Sequence, residues 1–113
     1  MKRIAFLFLM LASVLTGCSD LDNDKIYFFT KTNCPYCQKA EQYISETYPA
    51  LKVEYMNVKS TQNQALFAKC ARKSGIPKSQ WGTPLICMGN NVFLGWSEKI
   101  KTKFDESVKD FQK

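Results

Sequence analysis

The 113-residue chain has no histidine, and this limits the metal chemistry in which its cysteines can take part. A structural zinc ion is usually held by two pairs of Cys or His ligands. Two of the five cysteines, Cys34 and Cys37, have the spacing of one such pair. The other three, Cys18, Cys70 and Cys87, form no second pair of that spacing. A structural zinc site of the usual kind is therefore disfavoured.

The chain also lacks internal repeats and low-complexity segments, and its length suits one domain with a modest core. Sixteen Lys and Arg against ten Asp and Glu give a net charge of +6. The aromatic residues mostly fall at core-facing positions rather than between the basic residues, so no nucleic-acid partner is expected. The basic surplus could attract acidic partners or anionic lipid headgroups, or it could be a solvated surface.

A single long apolar run occupies residues 4–15, directly after the basic pair Lys2 and Arg3. This order is typical of a secretory signal, and the run is too short to cross a bilayer comfortably. The next stretch, Leu15-Thr16-Gly17-Cys18, looks like a bacterial lipobox, in which cleavage before the cysteine leaves that cysteine to carry the lipid. An ordinary signal peptide or an uncleaved anchor, with Cys18 incidental, is the alternative.

We therefore divide the chain into three parts. Residues 1–17 are predicted to be a lipoprotein signal peptide, residues 18–24 the lipidated cysteine and a short polar tether, and residues 25–113 the folded domain. Ser19 after the cysteine resembles lipoproteins sent to the outer membrane. We expect a membrane-anchored protein of the cell envelope that faces the periplasm, with the outer membrane favoured over the inner one. The four cysteines beyond Cys18 are an even number, which suits an oxidising compartment.

The pair Cys34 and Cys37 falls at a predicted strand-to-helix junction. Residues 25–30 form an apolar strand candidate, and a helical pattern begins at Cys34. At a helix N-terminus, unpaired backbone N–H groups and the helix dipole stabilise a thiolate. Pro35 fits the first helical position, because its missing N–H is not needed there. This placement predicts Cys34 as an exposed, acidic attacking thiol and Cys37 as the more buried resolving thiol.

Two other interpretations of this pair stay open. The two cysteines could bind a soft metal, such as Cu(I) or a shared iron–sulfur cluster, or they could form an inert structural disulfide. The junction favours redox exchange, because a disulfide closed over two residues is strained and reducible and therefore stabilises a fold poorly.

The rest of the chain alternates between strand and helix patterns. The first half has a strand at 25–30, a helix at 34–48, a strand at 51–58 and a helix at 61–74 that is followed by Gly75 at C′. The second half has a loop at 76–82, strands at 85–88 and 92–96 around a turn at 89–91, and a last helix from Ser97. The first two strands, joined by a helix, should be parallel. The predicted fold class is α/β, with the order β-α-β-α-β-β-α and a four-stranded mixed sheet that has helices on both faces.

The sequence Cys34-Pro35-Tyr36-Cys37 resembles the active site of dithiol glutaredoxins. The resemblance implies a thioredoxin-like fold in its compact glutaredoxin form over about residues 25–113. It implies that Lys31 binds the glycine carboxylate of glutathione and, together with the helix dipole, lowers the pKa of the Cys34 thiol. Tyr36 is implied as a further contact with glutathione.

Thr83 and Pro84, at the start of the third strand, match the position at which the family has a cis proline. The resemblance implies that this turn faces the active cysteines and that the Thr83 backbone pairs with an extended substrate. A trans proline that opens an edge strand is the alternative. Ser97 and Glu98 match residues that hold the γ-glutamyl end of glutathione. Trp96 departs from the family pattern, because glutaredoxins usually have a glycine there.

Two further pairs of residues lie outside the family pattern. Cys70, on the apolar stripe of the second long helix, and Cys87, in the third strand, could form a structural disulfide or remain two buried thiols. Trp81 and Trp96 could line a groove for a protein substrate or fill the core. The sequence leaves both questions open.

The predicted function is that of an extracytoplasmic, glutaredoxin-type thiol–disulfide oxidoreductase, an enzyme that acts through Cys34 and Cys37. Its expected partners are protein or peptide disulfides and thiols, and the membrane through the lipid anchor. No metal or organic cofactor is expected, although glutathione could serve as a thiol co-substrate. One rival is a metal-binding or metal-delivery lipoprotein that uses the same cysteine pair. Another is a non-catalytic binding module on a thioredoxin-like fold.

The lipobox makes a direct prediction about Cys18. The Cys18→Ala variant should lose lipid labelling, because the acceptor thiol is gone, and it should appear either in soluble form or unprocessed. Metabolic labelling with a fatty acid, followed by membrane fractionation, measures both effects. Membrane attachment of the wild type without any acyl group, unchanged in Cys18→Ala, would refute the lipoprotein interpretation.

Overall fold

The computed structural model describes residues 21–112, so the predicted signal sequence and Cys18 lie outside the described residues. In chain order the elements are β1 (Ile26–Thr30), α1 (Pro35–Thr47), β2 (Val53–Asn57), α2 (Thr61–Lys73), a 3₁₀ helix (Lys78–Gln80), β3 (Leu85–Met88), β4 (Asn91–Leu94) and α3 (Glu98–Phe111). Across residues 21–112, no helix combines the length and the hydropathy needed to span a bilayer.

One four-stranded sheet in the order β2-β1-β3-β4 forms the centre of the fold. β1 pairs in parallel with β2 and antiparallel with β3, and β3 pairs antiparallel with β4. The buried side chains of β1 alternate between the two faces, with Ile26 and Phe28 on one and Tyr27 and Phe29 on the other. This mixed sheet confirms the predicted α/β fold class.

The two faces of the sheet are covered by different helices. α1 and α3 cover one face, where the buried residues of the helices are Cys37, Ala40, Ile44, Phe104 and Val108. α2 covers the other face through its buried residues Cys70 and Ala71, with Ile76 and Trp81 packed beside it. β1 is an interior strand with both faces covered, which explains why its sequence is a near-continuous apolar run. Each Å² of apolar surface buried in this way contributes about 25 cal/mol to stability.

Several element boundaries differ from the predicted ones by a few residues. β2 is an edge strand and shorter than residues 51–58, and its Tyr55 is 43% exposed because a strand lies on one side of it only. β4 ends at Leu94 rather than Trp96, because Gly95 has φ +86° and turns the chain. α3 begins at Glu98, because the hydroxyl of Ser97 accepts the Ile100 N–H at 3.2 Å as an N-cap.

The predicted loop at residues 76–82 contains a 3₁₀ helix that the sequence pattern did not show. The Gln80 N–H donates to the Pro77 carbonyl at 2.8 Å, and the Trp81 N–H donates to the Lys78 carbonyl at 3.2 Å. The indole N–H of Trp81 donates to the Ile76 carbonyl at 2.9 Å. These three bonds give the segment a fixed conformation and fix the direction of the Trp81 ring.

The segment just before β1, predicted as the end of a tether, contacts the domain. The Asp22 N–H donates to the Tyr27 hydroxyl at 3.0 Å. Lys73, the last residue of α2, donates to the Asn23 side-chain oxygen and to the Gly89 carbonyl, both at 2.9 Å. These bonds join the segment to α2 and to the β3–β4 turn.

A polar cluster connects α1 to α3. The Tyr43 hydroxyl donates to the two carboxylate oxygens of Asp105 at 2.9 and 2.8 Å, and the Tyr48 hydroxyl donates to the same group at 2.6 Å. Burial, followed by the hydrogen bond to Asp105, raises the pKa of both tyrosines above the ordinary value. Both hydroxyls therefore remain protonated donors throughout the neutral range.

This cluster predicts that Asp105→Ala destabilises the domain. Two half-buried hydroxyls lose their acceptor, which costs roughly 1–3 kcal/mol of unfolding free energy. Urea unfolding followed by circular dichroism measures the change. Glu106→Ala, at the exposed neighbouring position of α3, is the matched control and should change stability by less than about 0.5 kcal/mol. Equal stability of the two variants would show that the cluster does not hold the helices together.

Candidate active site

The candidate site begins where β1 ends and the chain turns into α1. Asn33 has φ +61°, a left-handed conformation that asparagine tolerates better than most residues. Cys34 follows in an extended conformation as the N-cap of α1, and Pro35 is the first helical residue. The helix start, with Pro35 as the first helical residue, is the one that the sequence predicted, whereas the left-handed Asn33 was not predicted. This start places the Cys34 sulfur at the helix N-terminus.

Cys34 and Cys37 form a disulfide within the first turn of α1, with their Cα atoms 5.2 Å apart. The Cys37 N–H donates to the Cys34 sulfur at 3.2 Å. This donor is one of the backbone groups that the helix itself leaves unpaired. When the disulfide is reduced, the same N–H and the positive end of the helix dipole stabilise negative charge on Cys34.

The predicted exposure of Cys34 is wrong. The residue is only 6% exposed, against 1% for Cys37, because Thr83 lies over it. The Thr83 hydroxyl donates to the Cys34 sulfur at 3.5 Å, and the Thr83 carbonyl oxygen lies 3.8 Å from the same sulfur. Cys34 is nevertheless more exposed than Cys37, as predicted. A substrate disulfide must therefore approach Cys34 past Thr83.

Thr83 and Pro84 form the second part of the site. Their peptide bond is cis, and Pro84 is buried at the start of β3. The Pro84 carbonyl accepts the Gly95 N–H at 2.8 Å, which joins this turn to the end of β4. The turn thus faces the active cysteines, as the family resemblance implied.

The other predicted ligand residues lie in two grooves. We call them the Trp81 groove, of about 370 Å³, and the Trp96 groove, of about 520 Å³. The Trp81 groove is lined by Lys31, Val58, Gln64, Phe67, Trp81, Gly82 and Thr83. The Trp96 groove is lined by Tyr36, Lys39, Tyr43, Trp96, Ser97, Glu98 and Lys101. The predicted glutathione contacts are therefore divided, with Lys31 and Thr83 in one groove and Tyr36, Ser97 and Glu98 in the other.

Most polar groups of the Trp96 groove already have partners. The Ser97 hydroxyl caps α3, and the Glu98 carboxylate forms an ion pair with Lys101 at 3.1 Å. Tyr36 is 58% exposed, with the ammonium of Lys39 5.7 Å from its ring centre. These contacts leave the groove fewer uncommitted groups than the sequence alone indicated.

The Trp96 ring forms one wall of this groove. It packs against Tyr43 at 5.7 Å and against the buried Phe104 at 6.1 Å, measured between ring centres. The sequence left open whether Trp96 lines a groove or fills the core. In the structure it does both.

The Trp81 groove contains residues that sequence reasoning did not assign to the site. Phe67 of α2 is one of them, and its ring lies 5.7 Å from that of Trp81. Gln64, on the exposed side of the same helix, also lines the groove. The spacing of Gln64 and Phe67, three residues apart on one helix, could have indicated that they share a face.

A second disulfide joins Cys70 of α2 to Cys87 of β3, with Cα atoms 6.0 Å apart. Both residues are buried, at 0% and 2% exposure. They belong to the core on the α2 face of the sheet, whereas Cys34 and Cys37 belong to the core on the α1–α3 face. The sheet therefore separates the two disulfides. Within residues 21–112, no three Cys, Asp or Glu side chains come together as a metal site.

No protein-family model matches the chain, and no curated protein sequence matches it. Solved structures do match its fold. The chain is similar to the glutaredoxin from Archaeoglobus fulgidus, with 14% identity and a TM-score of 0.58 over 81% of this chain and 97% of that one. It is similar to the thioredoxin-like protein BC3987, with 17% identity and a TM-score of 0.55 over 74% of this chain and 99% of that one. It is also similar to buckwheat glutaredoxin in its glutathione complex, with 14% identity and a TM-score of 0.55 over 98% of this chain and 92% of that one.

These likenesses define the fold as that of the thioredoxin-like and glutaredoxin proteins. The fold carries a Cys-x-x-Cys pair that forms a disulfide at the N-terminus of α1. Together, the fold and the pair support thiol–disulfide oxidoreductase chemistry in general terms.

Proposed function

We propose that this protein is a glutaredoxin-type thiol–disulfide oxidoreductase of the cell envelope. The observation that carries the proposal is the position of the Cys34 sulfur, which is bonded to Cys37, accepts the Cys37 N–H and lies under Thr83. The bond to Cys37 is the oxidised state of the dithiol, the Cys37 N–H stabilises the attacking thiolate, and Thr83 lies where a substrate would approach. The proposed substrates are protein or peptide disulfides and thiols, with glutathione a weaker ligand.

In the reductive direction, the Cys34 thiolate attacks one sulfur of the substrate disulfide. A bond forms between that sulfur and Cys34, the substrate disulfide breaks, and its second sulfur leaves as a thiolate that takes a proton from water. The Cys37 thiol then loses its proton and attacks the Cys34 sulfur, and the bond between Cys34 and the first substrate sulfur breaks. That sulfur leaves as a thiolate and takes up a proton, and the Cys34–Cys37 disulfide closes. The substrate is reduced and the protein dithiol is oxidised. The reverse sequence oxidises substrate dithiols.

The proposed location rests on the signal-like start and on Cys18 as the lipid-bearing residue, with the outer membrane favoured. The Cys70–Cys87 disulfide supports it, because buried structural disulfides are typical of proteins in oxidising compartments. The periplasm would also supply the proposed partners, which are proteins with exposed disulfides or thiols.

The roles of the two cysteines can be tested with two matched variants. Cys34→Ser should abolish exchange with a peptide disulfide, because it removes the attacking sulfur. Cys37→Ser should accumulate mixed disulfides on Cys34, or keep partial activity with glutathione, because attack still occurs without resolution. Mass spectrometry of the trapped species and the exchange rate measure both. In the reduced wild type at neutral pH, iodoacetamide should modify Cys34 before Cys37.

Two results would contradict the proposal. Faster alkylation of Cys37 than of Cys34 would reverse the assigned roles. A wild type that exchanges no disulfide at all, while its cysteines retain a metal after purification, would favour the metal-binding alternative. A wild type that has neither activity nor metal would favour the binding module.

Glutathione is expected to bind weakly because Trp96 stands where the family brings its backbone close to the ligand. Of the proposed partners of the γ-glutamyl end, the Ser97 hydroxyl caps α3, and the Glu98 carboxylate forms a solvent-exposed ion pair that can exchange partners at little cost, so the restriction comes chiefly from Trp96. Losing a hydrogen bond to a charged group costs about 1.5–3 kcal/mol, which is roughly tenfold or more in affinity.

Trp96→Gly should therefore raise the specificity constant for a glutathione mixed disulfide by about tenfold relative to a peptide disulfide. The ratio of the two constants is the measurement, because it does not depend on the folded fraction. The ratio is needed because Trp96 is partly buried against Tyr43 and Phe104, so its removal also lowers stability, by up to roughly 3–5 kcal/mol. A wild type already efficient with glutathione, and a ratio unchanged in Trp96→Gly, would show that the indole does not restrict the ligand.

A further inference from the structure

The Trp81 groove directly adjoins the sulfur that reacts. Thr83 lines one end of the groove, and its carbonyl oxygen lies 3.8 Å from the Cys34 sulfur. A substrate sulfur attacked by Cys34 therefore brings its own backbone next to Thr83. The residue that neighbours the substrate half-cystine then lies over the groove.

The walls of the groove are apolar and of fixed shape. Val58, Phe67 and Trp81 supply the apolar surface. The Trp81 ring is held by its N–H bond to the Ile76 carbonyl, by Phe67 packed edge-on, and by the Arg72 guanidinium 5.7 Å from its centre. A wall held in this way loses little conformational entropy when it binds a side chain.

The charge of the groove complements a carboxylate. Lys31 lies on its rim, and none of its seven lining residues, all within the described part of the chain, is acidic. The Trp96 groove differs, because it contains Glu98. An acidic group next to the apolar residue of a substrate would therefore be attracted to the Trp81 groove.

From these observations, and resting on the exchange activity proposed above, we propose that the Trp81 groove selects polypeptide disulfides. The preferred substrate has a large aromatic or aliphatic residue directly beside its half-cystine and a carboxylate one residue further on. Lys31 and Thr83, which the family resemblance implied as glutathione contacts, line this same groove, so its charge alone does not disfavour glutathione. Glutathione has no apolar side chain to contact Trp81, so the Trp81 wall adds affinity for polypeptides only. Trp81 is in this view a specificity-determining residue.

The test uses the reduced full chain in single turnover, so that no recycling partner is needed. The substrates are short peptides with one cysteine, in mixed disulfide with the chromophore 5-thio-2-nitrobenzoate. Cys34 attacks the peptide sulfur, the coloured arylthiolate leaves, and Cys37 then releases the peptide thiol. The second-order rate constant of colour release is measured for peptides with Phe or Gly on either side of the cysteine.

For the wild type, at least one placement of Phe should react about tenfold faster than the Gly peptide, the gain expected from burying one large apolar side chain. With Phe in that placement, Glu at the next position should react faster than Lys, and added salt should reduce this difference because it screens charges. In Trp81→Ala the ratio of the Phe to the Gly rate should approach one. Trp81→Phe should keep part of the ratio, because it retains an aromatic wall.

The control variant is Lys103→Gln, an exposed residue of α3 that should change neither rate. Equal rates for Phe and Gly peptides with the wild type, or a ratio unchanged in Trp81→Ala, would overturn this inference and leave the proposed function standing. Failure to release colour from any peptide would instead overturn the proposed function. If Trp81→Ala does not fold, the wild-type peptide series and Trp81→Phe still decide the question.

Discussion

The hydrogen bond from the Cys37 N–H to the Cys34 sulfur is the interaction on which the site depends. It exists because α1 starts at Pro35, and the connection from β1 to that start includes Asn33 in a left-handed conformation. A shift of the helix start by one residue would direct the N–H elsewhere and separate the two sulfurs. The proposed redox chemistry thus depends on the placement of the few residues between β1 and α1.

The central sheet separates two kinds of disulfide. The Cys34–Cys37 disulfide closes a short loop at the end of a helix, where one sulfur accepts a backbone N–H and a substrate can approach past Thr83. The Cys70–Cys87 disulfide joins a helix to a strand and is fully enclosed by apolar groups. Thiol–disulfide exchange requires access of a thiolate to a sulfur, so the first can react while the second is protected. This separation is what the proposed function requires, because one disulfide must stay intact as structure while the other is exchanged.

The sequence predicted those structural features that depend on residues close together in the chain. The junction at Cys34, the order of the elements and the turn after α2 all follow from local patterns, and the structure has them. The burial of Cys34 could not be predicted, because Thr83 covers it from 49 positions away. The bonds of Tyr43 and Tyr48 to Asp105 likewise join helices that are distant in sequence. The division of the ligand residues between two grooves depends on how α2 and α3 pack, which no short motif describes.

The hydrogen bonds of the segment before β1 fix where the chain meets the domain. Asn23 and Gly89 are joined through Lys73 at the end of the sheet where β1 begins, whereas Cys34 follows the end of β1. A strand of five residues spans about 16 Å. The segment before β1 therefore joins the domain at one end of the sheet, and the Cys34–Cys37 disulfide lies at the other end. If the domain is held through its N-terminus, as the proposed lipid anchor requires, Cys34 and Cys37 face away from the point of attachment and toward the proposed partners.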